Sequence, residues 1–361
     1  MMVALRAFAF ACLFFFPCTL GKPEYKIHAE AGLKALQKWY NTTTGLWETT
    51  GWWNGGNCLT TIANFAAFNE YAASVADTVF PTSFTHGQNT NLLFRKSILP
   101  NGLVDTGYLK FSTSDSHLRR RGFLASLMII TTMRVDMVGG WDDNRCGGGI
   151  WWDKNKTALV AIANELFLSV AAHLATRVHD HTKYYYNWAT KEWNWFKKTG
   201  MINERNNIND GVELKTCQNN NGKVWSYNQG VILGALVEFA KASYPVDASL
   251  IDQAHAIATA AIGTLADKKG ILHDPCEPDC GADGPQFKGI FMRNLQILHE
   301  ASPRAKYKTF IKKNAHSIWK NDRNEMDQFG VNWAGPFEPP ALASSQSSAL
   351  DALVAAAAMW E

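Results

Sequence analysis

Helical periodicity, broken at intervals by loops rich in glycine, asparagine and tryptophan, is the feature that most restricts this chain. Between Thr157 and Val178 the apolar residues Leu159, Ala163, Leu166 and Val170 fall on one stripe at helical spacing. The same period predicts helices over 27–39, where Ala31, Leu33, Leu36 and Trp39 share a face, and over 59–75, 183–198, 227–243, 250–266, 289–301, 305–320 and 348–359. Ser348 with Asp351 offers a capped start for the last of these. The intervening loops read GWWNGGN, GGWDDNRCGGGIWWD, QNNNGKVW and CEPDCGADGPQ. No strand-rich block and no Pro/Ser linker divides the chain. The pattern predicts one all-α domain over 22–361, built of helical hairpins closed into an α/α barrel. Its site is expected in the loops at one rim, because connections carry function while helices hold position.

The charge balance excludes one class of partner. With 35 Lys+Arg against 32 Asp+Glu, the net charge is +3 and no basic run is present, so nucleic acid is not expected to bind. Residues 1–21, MMVALRAFAFACLFFFPCTLG, place Arg6 before an apolar stretch from Ala7 to Phe16 that Pro17 ends. This is the pattern of a secretory signal peptide. No later segment is apolar for about 18 residues, and the C-terminus lacks the spacer and greasy tail of a lipid-anchor signal, so no membrane attachment is expected. The mature protein is expected to be a secreted monomer, outside the cell or in the cell wall.

Removal of that segment takes Cys12 and Cys18 with it and leaves Cys58, Cys146, Cys217, Cys276 and Cys280. An odd number in an oxidising compartment leaves at least one thiol unpaired. Cys276 and Cys280 are close enough to close a small loop. Zinc would need further ligands, and only His273 is near, so no metal is expected. Asn41-Thr42-Thr43 and Asn155-Lys156-Thr157 are N-glycosylation acceptors.

The aromatic content bears on function. Fourteen tryptophans are present, and they pair at Trp52-Trp53 and Trp151-Trp152, each pair near glycines. An indole face suits the C–H-rich face of a sugar, and nearby Asn, Asp and Gln can bond its hydroxyls; Trp that fills a core is the competing reading. Asp142-Asp143 is the only adjacent acidic pair in the chain. Two carboxylates are the minimum for glycoside hydrolysis, one ionised and one protonated. On spacing alone an Asx turn or loop cap before the glycines is the better fit. Asp274, Glu277, Asp279 and Asp283 surround the Cys276/Cys280 pair without an EF-hand pattern, as a solvated loop would. Cys146-Gly147-Gly148-Gly149 is neither a P-loop nor GxGxxG, so no nucleotide or redox cofactor is expected.

Several stretches together resemble glycoside hydrolase family 76, the fungal secreted endo-α-1,6-mannanases. They are WYNTTTGLWETTGWWNGGNCLTTIANF (39–65), CGGGIWWDKNKTALVAIANELFLSVAAHL (146–174), VWSYNQGVILGALVE (224–238), HDPCEPDCGADGPQFKGIFMRNL from 273, FIKKNAHSIWKNDR from 310 and WAGP from 333. The resemblance covers most of the mature chain in order. It implies an (α/α)6 barrel that cleaves α-1,6-linked mannan backbones internally with retention of configuration. Trp52, Trp53, Trp151 and Trp152 would be subsite platforms, and Asn228, Gln229 and Asp283 would contact sugar hydroxyls.

One stretch departs from the family. Its catalytic signature is an adjacent Asp pair, followed by tryptophans, a few dozen residues before CGGGIWW. Here residues 88–137 contain no Asp pair and no Trp, and Asp142-Asp143 comes too late to be that pair. Three explanations compete: a non-catalytic mannan-binding relative, relocated carboxylates, or a reading frame that departs from the gene. The last is favoured, because Leu103-Val104-Asp105, if encoded CTG-GTG-GAC, reads Trp-Trp in the plus-one frame. A wall-remodelling transglycosidase is a further alternative on the same fold.

Overall fold

The computed structural model describes residues 23–90, 97–98, 104–105 and 137–359. The predicted signal peptide, and most of the divergent 88–137 stretch, lie outside the described residues. Helices dominate. In chain order come α1 (Pro23–Gln37), a hairpin of β1 (Tyr40–Asn41) and β2 (Leu46–Trp47), α2 (Trp52–Ala66) and α3 (Glu70–Thr90). A second two-residue hairpin pairs β3 (Ser97–Ile98) with β4 (Val104–Asp105). Then follow α4 (Ala161–Arg177), α5 (Thr182–Lys198), β5 (Val212–Glu213) paired with β6 (Gln218–Asn219), and α6 (Ser226–Ala242). The chain ends with α7 (Ala248–Leu265), α8 (Phe287–Ala301), α9 (Ala305–Asn321) and α10 (Ala343–Ala358).

The helices sort into two layers, and burial shows why. From Ser226 to Ala240 every residue of α6 except Tyr227 is buried, and α10 is buried from Ala343 to Ala357. A helix covered on all sides belongs inside. By contrast α9 buries one stripe, Tyr307, Phe310, Ile311, Asn314, Ala315, Ser317 and Ile318, as an outer helix does. Among the described residues α4, α6, α8, α10 and α2 pack side by side in that order, with α5 against α4, α7 against α6, α9 against α10 and α3 against α2. The first helix closes on the last: α1 packs on α10, where Gln346 donates to the Gly32 carbonyl at 2.9 Å. Two glycines set the inner spacing. A Cβ on Gly230 would lie 2.6 Å from Phe291 Cα, and one on Gly289 would lie 2.6 Å from Ser348 Cα, so these helices touch backbone to backbone.

Three sequence expectations need correction. The stretch 59–75 is not one helix: the chain breaks after α2, and the Asn69 side chain accepts from the Ala72 amide to start α3. GWWNGGN is not a loop, since Trp52 and Trp53 open α2 with Gly51 at its N-cap. Ser348 does not cap α10, which begins at Ala343. Ser348 lies inside it and accepts from the Gly289 amide at 2.9 Å, while buried Asp351 accepts from Thr61 and pairs with Arg293 at 2.8 Å. No helix among the described residues is long and apolar enough to cross a membrane.

Candidate functional site

The loops that precede the inner helices are tied to one another at a single rim. The Ala161 amide at the start of α4 donates to Asp210 O at 2.7 Å, and the Val212 amide donates to Leu159 O. Ser226, at the start of α6, gives its amide and hydroxyl to Asp274 at 2.8 and 2.5 Å. Asn54 of α2 donates to Gln286, just before α8, at 3.0 Å. Lys288 of α8 donates to Val331 O at 2.6 Å, pairs with Glu277 and lies over the Trp333 ring. The N-termini of all these helices therefore face the same way.

Phe287 is the hub of this rim. Tyr227 stacks on it with ring centroids 3.8 Å apart and planes 8° from parallel. Trp225 and Trp53 meet it edge-on, at 5.7 and 6.2 Å. Trp53 keeps 38% of its surface exposed, which leaves part of its indole open to a ligand. Carboxylates surround the cluster. Burial raises the Tyr227 phenol well above its ordinary range, and Asp210, Glu165, Asp274 and Asp283 push it the same way. Burial also raises Asp210, partly offset by the neighbouring side chains of Asn228 and Trp225. Asp274 rises to about 6, through burial that its bonds to Ser226 only partly offset. Behind them Glu165 and Glu192 are fully buried without a hydrogen-bond partner among the described residues, and burial holds both well above the usual carboxylate range.

Of the residues singled out from sequence, Trp53 and Asp283 fall in this cluster, and Asn228 stands beside Asp210. Trp52 leaves α2 in another direction, toward Gly87 of α3. Gln229 is the fourth residue of α6, and its amide is spent: it exchanges two 2.8 Å bonds with the Ile208 backbone and also donates to Trp225 O. It clamps the 199–225 loop and has no amide atom free for a sugar. Trp225, Tyr227, Phe287 and Asp210 were not singled out. The signal for the first two lay in VWSYNQG, beside the residues that were chosen.

Asp142 and Asp143 sit in the loop before α4 and point to different partners. Asp142 accepts from Lys156 at 2.7 Å, from the Trp151 indole at 3.1 Å and from the Asn144 amide at 3.0 Å, the last an Asx turn. Asp143 accepts from the Trp141 indole at 2.7 Å and from Lys191 of α5 at 2.9 Å. The Lys156 bond, then that from Trp151, lowers Asp142 far below the usual carboxylate range; the Trp141 and Lys191 bonds lower Asp143. Both are held ionised, whereas a retaining pair needs one protonated member. Trp151 is half-buried behind Asp142, and Trp152 is 60% exposed.

Two disulfides brace the loops. Cys146–Cys217 joins the loops before α4 and α6, with Cα atoms 5.1 Å apart, and Cys276–Cys280 closes the small loop that its spacing suggested. Among the described residues Cys58 is the unpaired thiol, buried and pushed up to about 12 by that burial. Asn155 and Thr157 are both exposed, whereas Asn41 is half-buried and accepts from the Thr43 amide at 2.9 Å.

Comparison with known proteins supplies the context for this rim. The family model for glycosyl hydrolase family 76 matches residues 131–360. The mannan endo-1,6-alpha-mannosidase DFG5 of Candida albicans is 23% identical over 346 residues, covering 88% of this chain and 74% of its own length. The Saccharomyces cerevisiae protein of that name is 26% identical over 250 residues, covering 64% of this chain, which spans about half (52%) of that relative. Among solved structures, an inactive variant of the alpha-1,6-mannanase GH76A of Salegentibacter, with two consecutive aspartates changed to alanine and alpha-1,6-mannotetrose bound, superposes with a TM-score of 0.73. It is 19% identical, over 93% of this chain and 99% of that one. Dfg5 of Chaetomium thermophilum in complex with glucosamine gives 0.72 at 17% identity, over 96% and 92%. These likenesses show the fold, an α/α barrel.

Proposed function

The chain belongs to glycosyl hydrolase family 76, and on that premise we propose that it is a secreted, endo-acting, retaining glycosidase that cleaves α-1,6-mannosidic links in mannan backbones. The observation that carries this reading is the Phe287 hub, a stacked and edge-on aromatic cluster flanked by Asp210, Asp274 and Asp283 at the rim. Aromatic faces hold the C–H face of a mannose ring, and the carboxylates and Asn228 accept or donate to its hydroxyls. Trp53 is the exposed platform, with Trp151 and Trp152 as outer contacts.

Hydrolysis with retention needs two carboxyl groups about 5–5.5 Å apart, one attacking the anomeric carbon and one protonating the leaving oxygen. Asp142 and Asp143 supply charge but no proton, and serve to lock their loop. Asp210, held toward its protonated form, suits a hydrogen bond to a sugar oxygen. The reading assigns the catalytic pair to the interval 88–137, where the family signature belongs, and ascribes its absence from the written sequence to the reading frame. The disulfides support an oxidising compartment, and exposed Asn155 supports glycosylation during secretion.

The ionised state of Asp142 and Asp143 favours one second reading: the chain as written binds mannan without cleaving it. Sequencing the transcript across codons 88–137 separates the two. An Asp pair followed by tryptophans supports the hydrolase; codons that match the present chain support the binding protein. Product analysis with an added acceptor sugar then distinguishes hydrolysis from transfer.

A further inference from the structure

We propose that the groove at the far ends of α4 and α6 is a second binding site for a neutral mannan chain, an inference that rests on the proposed substrate. The cavity has a volume of about 570 Å³ and is lined by Asp180, His181, Lys183, Tyr184, Tyr186 and Tyr244. That size is within the range of small-ligand sites. It lies where α4 ends and α5 begins, one helix length from the rim; at 1.5 Å per residue, the 17 residues of α4 put it about 25 Å away.

The lining specifies the chemistry of the occupant. Tyr244 is fully exposed, and Tyr184 is 38% exposed. Tyr184 meets Tyr185 edge-on at 5.2 Å, which fixes its ring. Flat rings with hydroxyl tips suit a ligand that has an apolar face and polar edges. Asp180 and Lys183 carry opposite charges, so the lining presents no run of one sign, and both can bond hydroxyls. A neutral, polyhydroxylated chain satisfies all of these groups together. The polymer already engaged at the rim is such a chain, and a second contact on the same molecule raises its local concentration there.

The test is binding of linear α-1,6-mannan, measured by affinity electrophoresis, for the wild-type chain and for Trp53→Ala, Tyr244→Ala, Tyr184→Ala and the Trp53→Ala/Tyr244→Ala double variant. Trp53→Ala is expected to keep residual binding, and the added Tyr244→Ala to weaken that residue by roughly threefold to tenfold, the scale of one aromatic contact. Tyr184→Ala in the same background is expected to act likewise. Tyr244 buries nothing, so the melting temperature is expected to stay unchanged. Residual binding insensitive to both tyrosines, or none left in Trp53→Ala alone, overturns the second site and leaves the rim reading standing. Equal retention of a neutral glucan overturns mannan as the occupant. A wild-type chain that binds no mannan overturns both readings.

Discussion

Tyr227 and Phe287 stack face to face across two inner helices, 3.8 Å apart and 8° from parallel, at the rim where the long loops meet. Neither ring is fully buried, so the stack joins α6 to α8 and also presents surface to a ligand. Phe287→Ala removes the hub that Trp225, Trp53 and Tyr227 share. Expected are a stability loss of about 1–3 kcal/mol by urea denaturation and a loss of mannan affinity of about tenfold or more by calorimetry. Phe287→Tyr should retain most of both. Full affinity in Phe287→Ala would remove the cluster from the binding account.

The Asp142 and Asp143 interactions make a distinct prediction. Each carboxylate fixes the 140–160 loop through a lysine and an indole, and Lys191 also lies 4.5 Å from the Trp141 ring centroid. The Asp142→Asn/Asp143→Asn double variant is expected to lower the melting temperature. It should reduce mannan turnover by less than about tenfold, against the thousandfold or greater loss that removal of a catalytic pair causes. A loss on the larger scale, with the fold intact by circular dichroism, would make these residues the catalytic pair.

Asp322 predicts a pH dependence of stability. It is wholly buried; burial raises its carboxyl to about 8, against the lowering effects of Lys288 and of the Gly330 amide bond at 3.2 Å. Its second oxygen has no partner among the described residues. Between about pH 4 and 8 the folded chain keeps a proton that the unfolded chain has lost, so this group lowers stability as pH rises through that window. Asp322→Asn keeps an acceptor for Gly330 and removes the charge. The variant is expected to be more stable than wild type by roughly 1–2 kcal/mol at pH 8 and nearly equal at pH 4. Equal stability at both pH values would contradict this account of Asp322.

How far the sequence revealed these features depended on whether their cause was local. The existence of α4 was legible because helical spacing is a short-range signal, but its inward face was not: Leu159 precedes the helix and Leu166 is exposed, while Ile162, Asn164, Glu165, Leu168 and Ala172 are buried. The start of α10 was hidden, because SSQSS is polar yet buried; Gln346, Ser347 and Ser348 find distant partners in Gly32 of α1, in Phe329, in Gln286 and in Gly289 of α8. Asn228 and Gln229 fall inside the predicted helix over 227–243, which the structure starts at Ser226, but the sequence does not show that both side chains are buried there. Tyr227 and Phe287 are 60 residues apart, and nothing local shows that they meet. Cys276–Cys280 was legible from its four-residue spacing, whereas Cys146–Cys217 spans 71 residues and only the fold brings it together.

The central claim is tested most directly by the products that the protein, purified from its native source, releases from linear α-1,6-mannan. Size separation over the first minutes, with NMR of the new reducing ends, reads both the cleavage pattern and the anomer. The account predicts oligosaccharides of mixed intermediate length from the start, with the α-anomer formed first. Release of mannose alone, a β-anomer formed first, or no products from a folded chain that still binds mannan would contradict it.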